Sequence, residues 1–198
     1  MHTAQSKKTA ILIVNLGSPA STKTADVRQF LREFLGDPRV VNIPRPVWWL
    51  ILNLFILPFR PQKSAHAYKT IWTEQGSPLV VFTRDLTAKL ADAIASENLI
   101  VDYAMRYGKP SLAAKLQDFE QQGVDEIVVL PLYPQYSSTT TASIFDVVAD
   151  AIKKWWHIPG LRLVSDFYRH PAYIGALADS IRHYWQAHGQ SQLLVMSF

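Results

Sequence analysis

Glu126-Ile127-Val128-Val129-Leu130-Pro131-Leu132-Tyr133-Pro134-Gln135-Tyr136-Ser137-Ser138-Thr139-Thr140-Thr141-Ala142-Ser143 runs from an apolar stretch through a polar turn into an amphipathic stretch. The pattern predicts a buried strand that opens into a helix, the repeating step of an α/β sheet. Ligands of such sheets collect beyond the carboxyl ends of the strands. That position here carries Tyr133 and Tyr136, the amide of Gln135 and the five successive hydroxyls of Ser137 to Thr141, with no glycine cluster. A loop of this composition suits a flat, partly polar ligand better than a phosphate.

The same step recurs on both sides. Ala10 to Val14 is an apolar run ending in Asn15-Leu16-Gly17-Ser18-Pro19, a strand and its turn. Thr24 can cap a helix that places Val27, Phe30, Leu31, Phe34 and Leu35 on one face and stops at Gly36-Asp37-Pro38. Ser77-Pro78 pairs a capping residue with proline at the first helical position and starts a helix to about Ser96. Leu99 to Arg106 reads as a strand, and Lys109-Pro110-Ser111 opens a helix that Gly123 ends. Beyond the Glu126–Leu132 strand come a helix from about Thr139 to Trp156, a short strand at Leu161 to Ser165 and a helix from Pro171 to about Ala187. The final apolar run, Leu193 to Phe198, reads as a fifth strand. Strands alternating with helices predict a parallel, doubly wound sheet. Between Asp37 and Lys63 the prolines Pro38, Pro44, Pro46, Pro58 and Pro61 frame irregular chain around a tryptophan-rich run, an insertion in the first crossover.

Composition excludes several classes of function. Of the 198 residues, 48% are hydrophobic, ample for a buried core, and the net charge of +4 is too mild and scattered for a nucleic-acid binder. Cysteine is absent, which removes disulfides, thiolate metal sites and iron–sulfur clusters from this stretch. Met1 to Thr9 is polar and lacks the apolar segment of a secretory signal, so export is not expected and the cytoplasm is permitted. The longest apolar run, Val47 to Leu57, is broken by Asn53 and falls well short of the ~20 residues that span a bilayer. It reads as a core helix or as a segment lying at an apolar surface.

Tyr133-Pro134-Gln135-Tyr136-Ser137-Ser138-Thr139-Thr140-Thr141 closely resembles the ferrochelatase signature. Val14-Asn15-Leu16-Gly17-Ser18-Pro19, Gly76-Ser77-Pro78-Leu79 and Ala104-Met105-Arg106-Tyr107-Gly108 agree with that family in the same order. The resemblance implies a Rossmann-like, chelatase-type domain over residues 1–198, the first of two such domains, with a Pro/Trp-rich lip insertion at about 37–63. It implies the activity of a lyase of haem biosynthesis that inserts ferrous iron into protoporphyrin IX or a related porphyrin, with no bound cofactor. By the same resemblance the porphyrin would touch Ser77, Arg106, Tyr107, Tyr133, Gln135, Tyr136, Ser137, Ser138 and Thr139. The lip, Val47 to Leu57, would guide the porphyrin and touch the membrane peripherally, and Arg60 and Lys63 would attract anionic headgroups or propionates. The family's catalytic histidine follows a strand matching Leu193 to Phe198, so the resemblance implies a fragment that stops just before that residue, lacks the second domain and is inactive alone.

The residues themselves leave some roles open. Metallation of a porphyrin needs a slot for the macrocycle and a base for two N–H protons. Of His2, His66, His157, His170, His183 and His188, no pair has the i,i+4 spacing of a helical metal site; surface or capping roles are expected for all six. Arg106 can fork onto a ligand carboxylate or onto the carbonyls at a helix end. Ser77 is a helix cap by its position, and a pocket contact by resemblance. One of Ser137 to Thr141 must cap the following helix, and the remainder could hold a propionate or another anion at the helix N-terminus. A stand-alone porphyrin- or small-anion-binding module is the alternative to an enzyme. A nucleotide module is disfavoured, because G-x-G-x-x-G and the Walker lysine are both missing.

Overall fold

Ala10, Leu12 and Val14 alternate along the first strand, and all three are fully buried, as is Ile13 on the opposite face. A strand buried on both faces belongs at the centre of a covered parallel sheet. In the computed structural model, which describes residues 7–196, this strand is β1 (Thr9–Ser18). It pairs in parallel with β2 (Leu99–Gly108) on one side and β3 (Glu126–Pro131) on the other, and β3 pairs with β4 (Gly160–Leu163). The strand order is β2-β1-β3-β4. The chain leaves β1 in one direction and returns past it to β3, so the loops after β1 and β3 diverge at a topological switch point. The Tyr133–Thr141 loop therefore starts at the place where doubly wound sheets hold ligands.

Two apolar clusters cover the sheet. The first joins Leu12, Val14, Ile127 and Val129 to Leu116 and Phe119 of α5 (Leu112–Gln121) and to Ile144 and Val148 of α6 (Ser143–Ile152). The second joins Tyr107, at the end of β2, to Val27, Phe30 and Leu31 of α1 (Thr24–Gly36) and to Trp48 and Leu57 of the insertion. Asn15, facing away from Leu12 and Val14, donates to Thr83 Oγ1 at 3.0 Å, which ties β1 to α4 (Pro78–Ala93). The crossover pieces α1 and α4 thus hold the carboxyl ends of the central strands in place.

The insertion departs from expectation. Residues 37–44 are irregular, but from Arg45 onward it is helical: α2 (Arg45–Ile51), a π-helical turn at Leu52–Ile56, and α3 (Leu57–Ile71). Prolines here do not break the helix, for local reasons. Pro46 and Pro58 occupy first-turn positions that need no N–H partner, and Leu57 N–H bonds to the carbonyl of Leu52 across the wide turn. Pro61 lies inside α3 and leaves the Leu57 carbonyl without its helical donor; Arg28 Nε fills it at 3.1 Å. Trp48, Leu52 and Leu57 are buried, whereas Val47, Trp49, Leu50, Leu54, Phe55 and Phe59 are exposed. The run is core on one face and open apolar surface on the other.

Other differences are smaller. Lys23, not Thr24, occupies the N-cap of α1 and makes no side-chain cap; Ser21 instead accepts from Lys23 N–H and donates to Asp26. α4 ends at Ala93 rather than Ser96. Among the described residues no fifth strand forms: Leu193 to Met196 follows α7 (Pro171–His188) without joining the sheet, and Ser197 and Phe198 lie outside the described residues. Apolar composition specifies that this segment seeks burial but not its partner, and it lies along a cavity instead. His2 and the polar stretch Met1 to Ser6 also lie outside the described residues.

Candidate functional site

β3 ends at Pro131, and the following loop turns at Pro134, whose carbonyl accepts from Phe167 N–H at 2.9 Å and Tyr168 N–H at 3.0 Å. This fastens the loop to the segment after β4. Ser137 is the capping hydroxyl: its Oγ accepts from Thr139 N–H at 3.3 Å and pairs with Thr139 Oγ1 at 3.0 Å. Ser138–Ala142 then forms a π-helical turn that passes into α6. Thr141 is wholly buried, and its Oγ1, like the hydroxyls of Tyr133 and Ser18, has no hydrogen-bond partner among the described residues. Buried hydroxyls without partners are costly, so three near the ends of β1 and β3 mark polar capacity that the protein itself leaves unused. Burial, reinforced by nearby Tyr107 and partly opposed by Arg106, pushes the Tyr133 phenol well above the usual tyrosine range.

A cavity of about 830 Å³ opens against this loop. Tyr133, Gln135, Tyr136, Ser137 and Thr139 line one side; Tyr173, Leu177 and Ile181 of α7 and the apolar run Leu194 to Met196 line the other. It has a polar wall facing an apolar one, and no carboxylate or imidazole among the described residues that line it. The size falls in the range of pockets for drug-sized or larger flat ligands. It can bind such a molecule, but it offers no side chain that would accept a proton near neutral pH.

Beside the loop lies a buried polar cluster. Asp37, at the start of the insertion, is 6% exposed. Its Oδ2 accepts from Arg106 Nη2 at 2.5 Å, Tyr107 OH at 2.8 Å and Ser143 Oγ at 2.6 Å, and its Oδ1 accepts from Arg39 N–H at 2.7 Å. Arg106 Nε also donates to Ser143, to Oγ at 2.6 Å and to the carbonyl at 3.0 Å. Burial raises the Asp37 carboxyl, but the hydrogen bonds from Ser143, Tyr107 and the Arg39 amide, with the Arg106 charge, outweigh it and hold the group below the usual carboxylate range. Burial likewise pushes the Tyr107 phenol up to about 12.

The structure therefore divides the nine expected porphyrin contacts. Tyr133, Gln135, Tyr136, Ser137 and Thr139 line one cavity; Ser138, in the same turn, and Ser77, Arg106 and Tyr107 do not. Tyr107 is 2% exposed and packed edge-on against Phe30 and Phe34, with its hydroxyl closed on Asp37. The Arg106 fork closes on Asp37 and Ser143 rather than on helix-end carbonyls alone, with 18% of its side chain exposed. Ser77 holds the N-cap position of α4 but makes no side-chain cap bond. Of the histidines, His170 caps α7 through Nδ1, which accepts from Ala172 N–H at 3.3 Å, and His66 lines a separate groove with Lys23, Lys63 and Lys69. Sequence reasoning missed Asp37 and Ser143. Gly36-Asp37-Pro38 reads as a helix stop, and Ser143 as one more hydroxyl in a run.

A ferrochelatase family model matches residues 8–198. The chain belongs to the ferrochelatase family. Among its relatives, the ferrochelatase of Methylococcus capsulatus is 53% identical over 191 residues, which cover 96% of this chain and 58% of that protein. The ferrochelatase of Aromatoleum aromaticum is 49% identical, covering 97% of this chain and 53% of its own length. That of Aeromonas hydrophila is 49% identical, covering 96% and 60%. The chain thus spans little more than half the length of these ferrochelatases. The signature loop, the Gly17 turn and the Arg106-Tyr107-Gly108 strand end all fall inside the matched region.

Proposed function

We propose that this chain forms the porphyrin-facing wall of a ferrochelatase, the enzyme that inserts ferrous iron into protoporphyrin IX or a related porphyrin in haem biosynthesis. The observation that carries this reading is the signature loop itself, which opens from β3 at the switch point onto a cavity with one polar and one apolar wall. The ring of Tyr136, 55% exposed, is available to stack on a macrocycle, and Gln135, Ser137 and Thr139 offer hydrogen bonds to its carboxylates. Iron and porphyrin are the substrates, and the chemistry asked of the protein is positioning and proton removal.

The described lining of the cavity lacks one component, a base. Metallation releases two pyrrole protons, and none of the described residues lining the cavity accepts a proton near neutrality. This chain accordingly binds porphyrin without metallating it. The exposed face formed by Trp49, Leu50, Phe55 and Phe59, with Arg60 and Lys63 beside it, is proposed to rest on a membrane surface from the cytoplasmic side. No helix among the described residues is long and apolar enough to cross one.

The test is a titration with protoporphyrin followed by tryptophan and tyrosine quenching, run beside a ferrous-iron insertion assay, with Tyr136→Ala as control. Saturable binding that Tyr136→Ala weakens, without insertion, is the expected result. Insertion by this chain alone would overturn the claim about the base, and no binding would refute the porphyrin wall.

A further inference from the structure

The four donors that converge on Asp37 come from three separate segments. Arg39 N–H belongs to the turn that opens the insertion, Arg106 and Tyr107 to the end of β2, and Ser143 to the first residue of α6, immediately after the π-helical turn of the signature loop. A second link runs the same way: Arg39 Nε and Nη2 grip the Asp146 carboxylate, one turn into α6, at 2.7 and 2.9 Å. Asp37 and Arg39 therefore hold α6 at two successive points, and both belong to the segment that leads into the exposed apolar lip. A carboxylate with 3% of its side chain exposed and four donors has one fully bonded arrangement, and moving any one segment leaves a buried group unpaired.

We propose that Asp37 is a positioning residue: it locks the first turn of α6, and through it the signature loop, to the base of the lip. It touches no substrate, and it acts through Ser143 and Arg106. For its effect on ligand binding the inference rests on the porphyrin reading given above.

Asp37→Asn tests this with little change in volume. An amide has one acceptor oxygen: placed at the Oδ2 position it leaves its nitrogen against the Arg39 N–H, placed at Oδ1 it leaves the nitrogen against the Arg106 guanidinium, and neither donor can accept. In both cases the charge paired with Arg106 is lost. In hydrogen exchange on the chain, the amides of Thr139 to Asp146 should exchange about tenfold faster or more, while those of Leu12 to Val14 and Ala104 stay unchanged. Protoporphyrin affinity should fall at least about fivefold. Ser143→Ala, which removes only the α6 end of the lock, should give the same local pattern at smaller size and decides the matter if Asp37→Asn does not fold. Unchanged exchange over Thr139 to Asp146 would overturn the proposal. So would acceleration extending through β1, which marks plain loss of stability, or local loosening with unaltered porphyrin affinity. Failure of the unmodified chain to bind porphyrin would refute the functional reading alone; the exchange pattern, which needs no ligand, would still decide whether Asp37 holds the loop.

Discussion

Gly17→Ala should be among the most damaging small substitutions in this protein, and the structure says by how much. Gly17 adopts φ +104°, and an added Cβ would sit 1.8 Å from the Tyr107 carbonyl oxygen, where 3.0 Å is the practical limit. The strand ends would have to part by more than an ångström, or the turn rebuild. An L side chain at such a φ costs roughly 1–3 kcal/mol by itself. Parting the ends also removes the last pairings of β1 with β2, Gly17 with Tyr107 and Ser18 with Gly108, each hydrogen bond being worth about 1 kcal/mol. The sum is roughly 3–5 kcal/mol, and Tyr107 would carry the disturbance into the Asp37 cluster. Gly36→Ala supplies the control: its Cβ meets nothing within 4 Å, and its φ lies outside the positive range. In the last turn of α1 that change should stabilise by about 0.5–1 kcal/mol. Urea unfolding of both variants, compared at equal slopes, measures the pair. An unfolding free energy for Gly17→Ala within about 1 kcal/mol of the parent would refute the steric argument.

Three further outcomes can be measured. The Asp37 carboxyl is held below its unfolded value of about 3.9, so its stabilisation is fully present above that pH and is lost as pH falls through the lower folded value; acid unfolding of Asp37→Asn should lack this part of the limb below about pH 4, and identical acid limbs would contradict it. Phe119, 1% exposed between α5 and the sheet, should cost about 3–5 kcal/mol when replaced by alanine, read by thermal or urea unfolding. Replacing Trp49 and Phe55 with serine should leave the melting temperature unchanged, because the two are 62% and 65% exposed, yet lower partition onto phosphatidylglycerol vesicles by about tenfold or more. Equal partition would remove the lip from any membrane role.

Much of this molecule follows from order along the chain. The runs Ala10 to Val14, Leu99 to Arg106 and Glu126 to Leu130 are strands because their composition leaves little else, and the intervening helices carry visible starts at Pro78, Ser111 and Pro171. The signature from Tyr133 to Thr141 marks the family from the sequence alone, and its place after a strand puts it at the edge of the sheet where ligands of such folds collect. Strand and helix signals are local: periodicity, caps and breakers act within a few residues.

Only the tertiary structure decided the rest. Five prolines suggest irregular chain between Asp37 and Lys63, yet α2 and α3 accommodate three of them, Pro46, Pro58 and Pro61, because the π-helical turn at Leu52–Ile56 and Arg28, 29 positions from Leu57, supply what the prolines withhold. Leu193 to Met196 has the composition of a strand and no strand partner. Tyr107 and Arg106 have the chemistry of ligand contacts but turn toward an aspartate about seventy positions away. Each of these outcomes depends on which distant group arrives opposite a side chain. The local pattern of a sequence specifies what a residue needs, whereas the folded chain settles which partner meets that need.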